Sequence, residues 1–374
     1  MDPISAARNL AAKAWRRGSA LPKRPVRAAR RGRRLREQFD TLREEWRIER
    51  ELARLAQGRH PIIAGPWLSE VGFEVLYWIP FLRWLEDRYR IDPERVIAVS
   101  RGGVGDWYRG VAGRYVDIFD HVDPDTFTAR NTERRATGES GGQKQTKSGA
   151  FDDEVLAAAR RTLNIGEAAV CHPSFMYRLF NPFWFGNRAL DLVMSHTRHV
   201  PLTLERPAGL GLPERYVAAK FYTGAALPDT PAHRHALREL VGIVSRRLPV
   251  VLLDTGMATD EHEDYLFRDV PNVCSIKRHL TPSTNLGVQS AVVAGAEGFI
   301  GTCGSLAWLA PMLGVDTIAV YADERFLVSH IFFATHVYRQ TNAARFDTLD
   351  LSAAVQLDFV ARQEMSAPVP RPVA

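Results

Sequence analysis

One stretch of the sequence, residues 289–321, limits the folds that are open to this chain. It alternates short apolar segments with runs of small residues, QSAVVAGAEGFIGTCGSLAWLAPMLGVDTIAVY. We predict a strand at Gly298–Gly301, a turn at Gly301–Ser305, a helix from Ser305 to about Leu313 and a strand at Thr317–Tyr321. Short buried strands that alternate with helices form parallel sheets. The chain is therefore predicted to be an α/β protein.

The turn at Gly301–Ser305 is also a candidate binding site. It lies where a strand ends and a helix begins, and it contains two hydroxyl side chains, Thr302 and Ser305. Backbone N–H groups and the positive end of a helix dipole at such a turn suit a phosphate or diphosphate. Many turns of this composition bind nothing, so a plain strand-to-helix turn is the alternative interpretation.

Length and charge narrow the class of protein. The 374 residues favour two domains with extensions. Residues 1–60 have a net charge of +10, against +6 for the whole chain, so the remainder is net −4. A mildly acidic body does not indicate a nucleic-acid partner. The three cysteines, Cys171, Cys274 and Cys303, are far apart, and we predict buried thiols in a cytoplasmic protein.

The N-terminal region, residues 1–60, is predicted to be a basic extension that is partly disordered and partly helical. Residues 1–36 contain 12 basic side chains and one acidic side chain. Such a segment suits attraction to an anionic membrane surface, and a solvated basic tail is the alternative. Apolar residues recur at helical spacing from Leu35 to Leu55, which predicts an amphipathic helix that packs on the body or pairs with another copy.

The body is predicted to contain two α/β domains. The first, residues 61–206, includes a polar, Gly-rich segment, 121–150, that we interpret as a mobile loop. It also includes dense aromatic residues from Phe175 to Phe185, which suit either a core or an acceptor cleft. The Pro- and Gly-rich residues 207–213 are predicted to be a linker. The second domain covers 214–347, and residues 348–374 are predicted to form a C-terminal helix and tail.

The second domain resembles the donor-binding half of GT-B glycosyltransferases, in particular their heptosyltransferase-like and fucosyltransferase-like branches. The resemblance lies in the segment GTCGSLAWLAPMLGVDTIAVY, which is similar to that family's Gly- and Ser-rich turn, small-residue helix and strand. It implies two Rossmann-like domains facing a cleft, with a basic helical N-terminal extension in this chain. The chain departs from the family at Thr302 and Cys303, where an Asp is frequent before the Gly. It departs again at Trp308, where a polar residue is expected.

The resemblance also implies site residues. In the family, an early loop of the first domain supplies a Gly and an acidic catalytic base, which here implies Gly72 and either Glu70 or Glu74. The first domain resembles the family more weakly than the second. The implied donor-binding residues of the second domain are Lys220, Tyr222, Asp254, Arg278, Thr302, Gly304 and Ser305.

These residues suit the transfer of a sugar from a nucleotide-sugar donor. The reaction needs a base for the acceptor hydroxyl and donors for the departing diphosphate. We expect a metal-independent glycosyltransferase of polysaccharide biosynthesis without a cofactor, acting on a glycan, lipid-linked or other hydroxyl acceptor. It would be cytoplasmic or peripheral at the inner face of the cell membrane. The alternatives are a non-catalytic nucleotide- or glycan-binding protein of the same fold and a sugar-nucleotide epimerase.

Overall fold

The computed structural model describes residues 24–139, 144–186, 188–257, 262–325 and 327–353. Most of the basic segment 1–36 that was predicted to meet a membrane, and the tail from residue 354, lie outside these residues. The chain divides into two compact units between Arg50 and Glu51. Within the described part, no helix has both the length and the apolar character needed to span a membrane.

The first unit is a helical segment. Helix α1 runs over Arg24–Gln57, so it starts earlier than the helix predicted from Leu35. The side chains of Phe39, Leu42 and Trp46 are exposed. Helical periodicity identifies an apolar face, but it does not determine what covers that face.

The second unit contains two parallel sheets, and each packs against its own hydrophobic core. The four-stranded sheet has the order β3-β2-β1-β4, and the six-stranded sheet has the order β10-β9-β8-β5-β6-β7. The strands are β1 (Ile62–Ala64), β2 (Val96–Ser100), β3 (Arg114–Asp117), β4 (Ala169–Cys171), β5 (Val217–Lys220), β6 (Val250–Leu252), β7 (Val273–Ser275), β8 (Gly298–Thr302), β9 (Thr317–Tyr321) and β10 (Phe346–Asp350).

Helices connect these strands, as parallel pairing requires. The longer helices are α2 (Ile79–Tyr89), α3 (Pro124–Thr137), α4 (Ala150–Leu163), α5 (Ser174–Trp184), α6 (Pro231–Ser245), α7 (Asn285–Ala294) and α8 (Val328–Gln340). In each sheet, the direction in which successive strands are added reverses beside the first strand, which is β1 in the four-stranded sheet and β5 in the six-stranded sheet. This reversal is typical of Rossmann-like folds. The predicted α/β fold class with two Rossmann-like halves is thereby confirmed. The boundaries at 206, 207–213 and 214 remain predictions.

The interpretation of residues 121–150 as a mobile loop is wrong for its first half. Helix α3 covers Pro124–Thr137, and the Asp123 carboxylate accepts hydrogen bonds from the N–H groups of Asp125 and Thr126 at its start. The segment is polar because most of this helix faces solvent. A single buried aromatic residue, Phe127, gives too weak a periodic signal to indicate a helix.

The C-terminal prediction is wrong at its start. Residues 348–350 belong to strand β10, which pairs in parallel with β9 from Phe346 opposite Thr317 to Asp350 opposite Tyr321. Pairing satisfies backbone groups of β9 that a helix would leave unpaired, so the tertiary partner overrides the local preference. One cysteine prediction also fails. Cys274 is exposed because β7 is an edge strand, whereas Cys171 and Cys303 are buried.

The helical segment that follows β1 is irregular. A short turn, Val71–Phe73, leads into a π-helical segment, Glu74–Trp78, and then into α2. Pro80 has no N–H group to donate to the carbonyl oxygen of Leu76 one turn earlier. The Nε2 atom of His199 lies 2.9 Å from that oxygen and donates to it instead. Burial lowers the pKa of His199 to about 4, so the ring is neutral at physiological pH.

Candidate active site in the cleft

A cavity of about 510 Å³ lies where the carboxyl ends of the two sheets meet. Ligands of open parallel sheets bind at such ends, beside the point where the strand order reverses. Both halves of the second unit supply the walls. The lining includes Glu70, Val71, Gly72, Phe73, Tyr77 and Lys144 from the first half and Lys220, Tyr222, Asp264, Asn285, Gln289, Thr302, Gly304, Ser305 and His330 from the second.

The loop that presents Glu70 is held by buried polar side chains. The Gln145 amide accepts from the N–H of Leu68 at 2.9 Å and donates to the carbonyl oxygen of Pro66 at 2.9 Å. The Arg101 guanidinium donates to the carbonyl oxygens of Trp67, at 3.1 Å, and Ser69, at 2.9 Å. Saturated, buried hydrogen bonds of this kind fix a loop in one conformation. The Glu70 carboxylate is therefore presented to the cleft from a rigid support.

A second layer of buried groups supports Gln145. Its Nε2 donates to the Asp152 carboxylate at 2.7 Å, and that carboxylate also lies 2.9 Å from Nε2 of His172. The Nδ1 atom of His172 accepts from the N–H of Ser174, so Nε2 carries the proton and donates to Asp152. His172 follows β4 at the strand-order reversal. No pattern in the sequence indicated that a residue of the 121–150 segment anchors this network.

Glu74, the other predicted base, is buried behind the wall of the cleft. Its Oε1 accepts from the hydroxyl groups of Ser100 at 2.5 Å and Tyr108 at 2.6 Å, and its buried Oε2 has no partner among the described residues. Burial raises the pKa of Glu74 to about 7, although the Arg101 charge and these two hydrogen bonds oppose the rise. Glu74 does not line the cavity. Its position suits support of the π-helical segment more than contact with a substrate.

Gly72 brings the two halves into close contact. A Cβ atom at this position would lie 2.9 Å from the backbone nitrogen of Ser305 and 3.0 Å from Cδ1 of Trp308. Carbon atoms do not approach backbone at that distance without displacement, so only glycine fits. The loop that carries Glu70 is thus set directly against the turn predicted to bind phosphate.

That turn has an unusual backbone. Gly304 has φ 141° and Ser305 has φ 39°, and the left-handed region is uncommon for a serine. A Cβ at Gly304 would lie 2.6 Å from the hydroxyl oxygen of Tyr222. In the described part of the chain, the N–H groups of Gly304 and Ser305 and the Ser305 hydroxyl have no hydrogen-bond partner. Strained residues with unused donors cluster at functional sites.

Two predicted donor residues are engaged in other contacts. The Thr302 hydroxyl accepts from the N–H of Tyr222 at 2.9 Å and donates to its carbonyl oxygen at 3.1 Å, so it joins the ends of β5 and β8. The Lys220 ammonium lies 2.7 Å from the Asp264 carboxylate and 2.8 Å from the carbonyl oxygen of Leu253. Lys220 therefore lines the cleft as one member of an ion pair.

Two other predicted donor residues lie outside the cavity lining. The Asp254 carboxylate is buried and accepts a hydrogen bond from the Ser275 hydroxyl, which joins β6 to β7. Arg278 is exposed, and its Nε atom donates to the ring of His279 at 3.0 Å. The structure thus brings Glu70, Gly72, Lys220, Tyr222, Thr302, Gly304 and Ser305 together and leaves Glu74, Asp254 and Arg278 apart.

No protein-family model and no curated protein matches the chain. Solved structures of glycosyltransferases are similar to it. A glycosyltransferase family 9 protein from Veillonella parvula has 12% identity and a TM-score of 0.43, over 84% of this chain and 91% of that one. The E. coli heptosyltransferase WaaC with ADP has 15% identity and a TM-score of 0.43, over 82% and 100%. The E. coli ADP-heptose heptosyltransferase II has 11% identity and a TM-score of 0.41, over 82% and 99%.

The chain thus resembles heptosyltransferases, as its turn motif does. The cleft also contains residues that the sequence did not single out. Lys144 comes from the segment that was interpreted as a mobile loop, and Gln289 and His330 come from α7 and α8. Gln289 is buried, and in the part of the chain that the structure describes its Oε1 atom has no partner. A buried polar residue in an apolar helix was the available signal for Gln289.

Proposed function

We propose that this protein is a glycosyltransferase that transfers a sugar from a nucleotide-sugar donor to a hydroxyl group of a glycan, lipid-linked or other acceptor. One observation carries the proposal. A single cavity of about 510 Å³ is lined by a carboxylate, Glu70, from one half and by Gly304 and Ser305 from the other, whose N–H groups have no partner among the described residues. Glycosyl transfer needs these two kinds of group on opposite sides of the reacting carbon.

On the donor side, the proposal assigns the diphosphate to the turn at Gly304 and Ser305. Backbone donors fixed before the ligand arrives stabilise developing negative charge without reorganisation. The Tyr222 hydroxyl lies against the same turn. The Lys220–Asp264 pair adds no net charge, so backbone donors carry more of this role than the sequence implied.

On the acceptor side, the proposal assigns the base to Glu70. It lines the cleft, whereas Glu74 does not. Glu70 would accept the proton of the acceptor hydroxyl as that oxygen attacks the anomeric carbon and the nucleoside diphosphate departs. The close approach of Gly72 to Ser305 limits the space between base and diphosphate, which favours exclusion of water.

The test is a screen of nucleotide sugars and nucleoside diphosphates by thermal shift, followed by an assay for diphosphate release. At least one ligand should raise the melting temperature of the full chain. Ser305→Asp should abolish that rise, because a carboxylate would repel the diphosphate. Ser352→Asp, outside the cleft lining, is the matched control. If no nucleotide or nucleotide sugar stabilises the protein, the donor site is wrong. Retention of activity in EDTA tests metal independence.

A non-catalytic nucleotide-binding protein is the second candidate, and the Lys220–Asp264 ion pair favours it. A lysine neutralised by a carboxylate contributes less to stabilising a leaving diphosphate than an unpaired one. The two functions separate in one experiment. Stabilisation by nucleotides without any release of nucleoside diphosphate, across a panel of hydroxyl acceptors, would favour binding alone.

The proposal extends to location and partners. We place the protein in the cytoplasm, at the inner membrane face, with a role in polysaccharide biosynthesis. The 12 basic side chains of residues 1–36 support attraction to anionic lipid. The full chain should co-sediment with vesicles that contain anionic lipid and not with neutral vesicles. Deletion of residues 1–36 should abolish that difference, and persistence of it would remove the membrane role.

A further inference from the structure

One cationic side chain of the cleft has a special environment. The Nζ atom of Lys144 lies 4.7 Å from the ring centroid of Trp184, 5.3 Å from that of Phe73 and 5.7 Å from that of Phe185. Each distance is within the range of a cation–π contact. The ammonium group therefore lies against three rings, of which Phe73 lines the cavity together with Lys144.

The described neighbours of the Lys144 ammonium group are aromatic rings, not hydrogen-bond acceptors. In the part of the chain that the structure describes, its ammonium group makes no hydrogen bond and no ion pair. Burial lowers the pKa of Lys144, and the negative charge of Glu70 opposes that shift. An ammonium group has three donors, and a partly desolvated one without acceptors is destabilised. An anionic oxygen in the cleft would satisfy it.

The position of this ammonium is fixed by its neighbours in sequence and space. Gln145, the next residue, is fully buried and bonded to Pro66 and Asp152. The rings come from two different segments, with Phe73 before the π-helical segment and Trp184 at the end of α5. A binding group held by independent supports is preorganised for a ligand.

We propose that Lys144 and its three rings form a subsite for an anionic oxygen, either a carboxylate or a phosphate group of the bound ligand. The subsite rests on the proposed function, because it lies beside the base Glu70. The anion has two sources in that reaction. It belongs to the diphosphate of the donor or to an acidic group of the acceptor sugar, whose uncharged ring face would stack on the exposed ring of Phe185.

The experiment uses the full chain and three variants. Lys144→Met removes the charge and keeps an apolar chain against the rings, and Lys144→Arg keeps the charge. Lys147→Met is the matched control, since Lys147 is exposed and does not line the cavity. Titration calorimetry measures the affinity for inorganic pyrophosphate, as a probe of the donor, and for glucuronate and glucose 6-phosphate, as probes of an acidic acceptor.

Lys144→Met should bind at least one class of probe about 10- to 100-fold more weakly, the usual value of a lost charge-assisted hydrogen bond. Lys144→Arg should retain most of the affinity, and Lys147→Met should change it less than about twofold. Loss for pyrophosphate alone assigns the subsite to the donor. Loss for the sugar acids alone assigns it to the acceptor.

Two results would overturn the subsite. One is that Lys144→Met binds every probe as tightly as the wild type does. If its melting temperature is also lower, the contacts of Lys144 with the rings serve stability alone. The other is failure of the wild type to bind any probe. The failure of the proposed function looks different, because it is an absence of sugar transfer from all nucleotide sugars tested. Probe binding that depends on Lys144 would survive that failure.

Discussion

The two halves of the cleft follow one rule of strand order but present their functional groups in different ways. Beside β1, the first half presents a side-chain carboxylate, Glu70, on a loop held by buried polar groups. Beside β5, the second half presents backbone N–H groups of Gly304 and Ser305. A carboxylate must be positioned by its surroundings, whereas an N–H group is positioned by φ and ψ alone. The first half therefore needs more supporting side-chain contacts than the second half to position its functional group.

This difference predicts which substitutions should reduce function in each half. The first half should lose function when one side chain changes, because its support is a network of specific bonds. The second half should respond mainly to changes at glycine or at the left-handed Ser305, because its donors belong to the backbone.

The largest expected effect is that of Glu70→Gln. Loss of a general base lowers kcat by about 10²- to 10⁴-fold. Stability should change by about 1 kcal/mol or less, because the residue is only partly buried. Steady-state kinetics and thermal denaturation measure both quantities. Glu133→Gln, an exposed glutamate on α3, should retain wild-type activity. Full activity of Glu70→Gln would remove the carboxylate from its assigned role.

The next effect concerns the pH dependence of stability. The folded-state pKa of Glu74 is raised from 4.5 to about 7, so the folded state binds more protons than the unfolded state between these values. The free energy of unfolding should therefore fall by up to about 3 kcal/mol as the pH rises from 4.5 to 7. Urea denaturation at a series of pH values measures it. Glu74→Gln retains the acceptor for Ser100 and Tyr108, so it should lack this fall. An equal fall in both proteins would refute the assignment.

Gly72→Ala tests the contact between the two halves. The new methyl group would lie 2.9 Å from the Ser305 nitrogen, so the loop and the turn must separate. A displacement of about 1 Å at a reacting centre costs about 10²-fold in kcat/KM. Gly166→Ala is the matched control, because a Cβ there meets no atom within 4 Å. Unchanged kinetics for Gly72→Ala would show that base and donor turn do not need this spacing.

The difference between side-chain groups in the first half and backbone groups in the second also explains which parts of the site could be predicted from the sequence. The second half was predictable in outline, because the glycines of its turn and its alternating apolar strands are local signals. The turn residues Gly304 and Ser305 line the cleft, and their role there remains a prediction. The partner of Lys220 was not predictable. Asp264 lies far along the chain from it, and long-range contacts that include the antiparallel pairing of Tyr222 with Asp264 bring the two charges together.

In the first half, the sequence indicated the α/β class, Gly72 and two candidate carboxylates, but not which carboxylate faces the cleft. The choice between Glu70 and Glu74 depends on which side of a π-helical segment faces the cleft, and a π-helical segment breaks the 3.6-residue period on which such a choice relies. Gln145 and Lys144 could not be predicted as site residues for another reason. They lie in a polar segment whose composition resembles that of a mobile loop, although long-range hydrogen bonds fix Gln145.

The smallest expected effect, that of Arg278→Ala, sharpens the comparison between the halves. Arg278 is exposed, contacts His279 and does not line the cavity. Its removal should therefore change stability by less than about 0.5 kcal/mol and the Kd for a nucleoside diphosphate by less than about twofold. Titration calorimetry beside Ser305→Asp, which should abolish binding, gives the contrast. A tenfold loss in Arg278→Ala would mean that the ligand draws this side chain to the cleft. The second half would then use a mobile charge in addition to fixed backbone donors, and the division of chemistry between the halves would not hold.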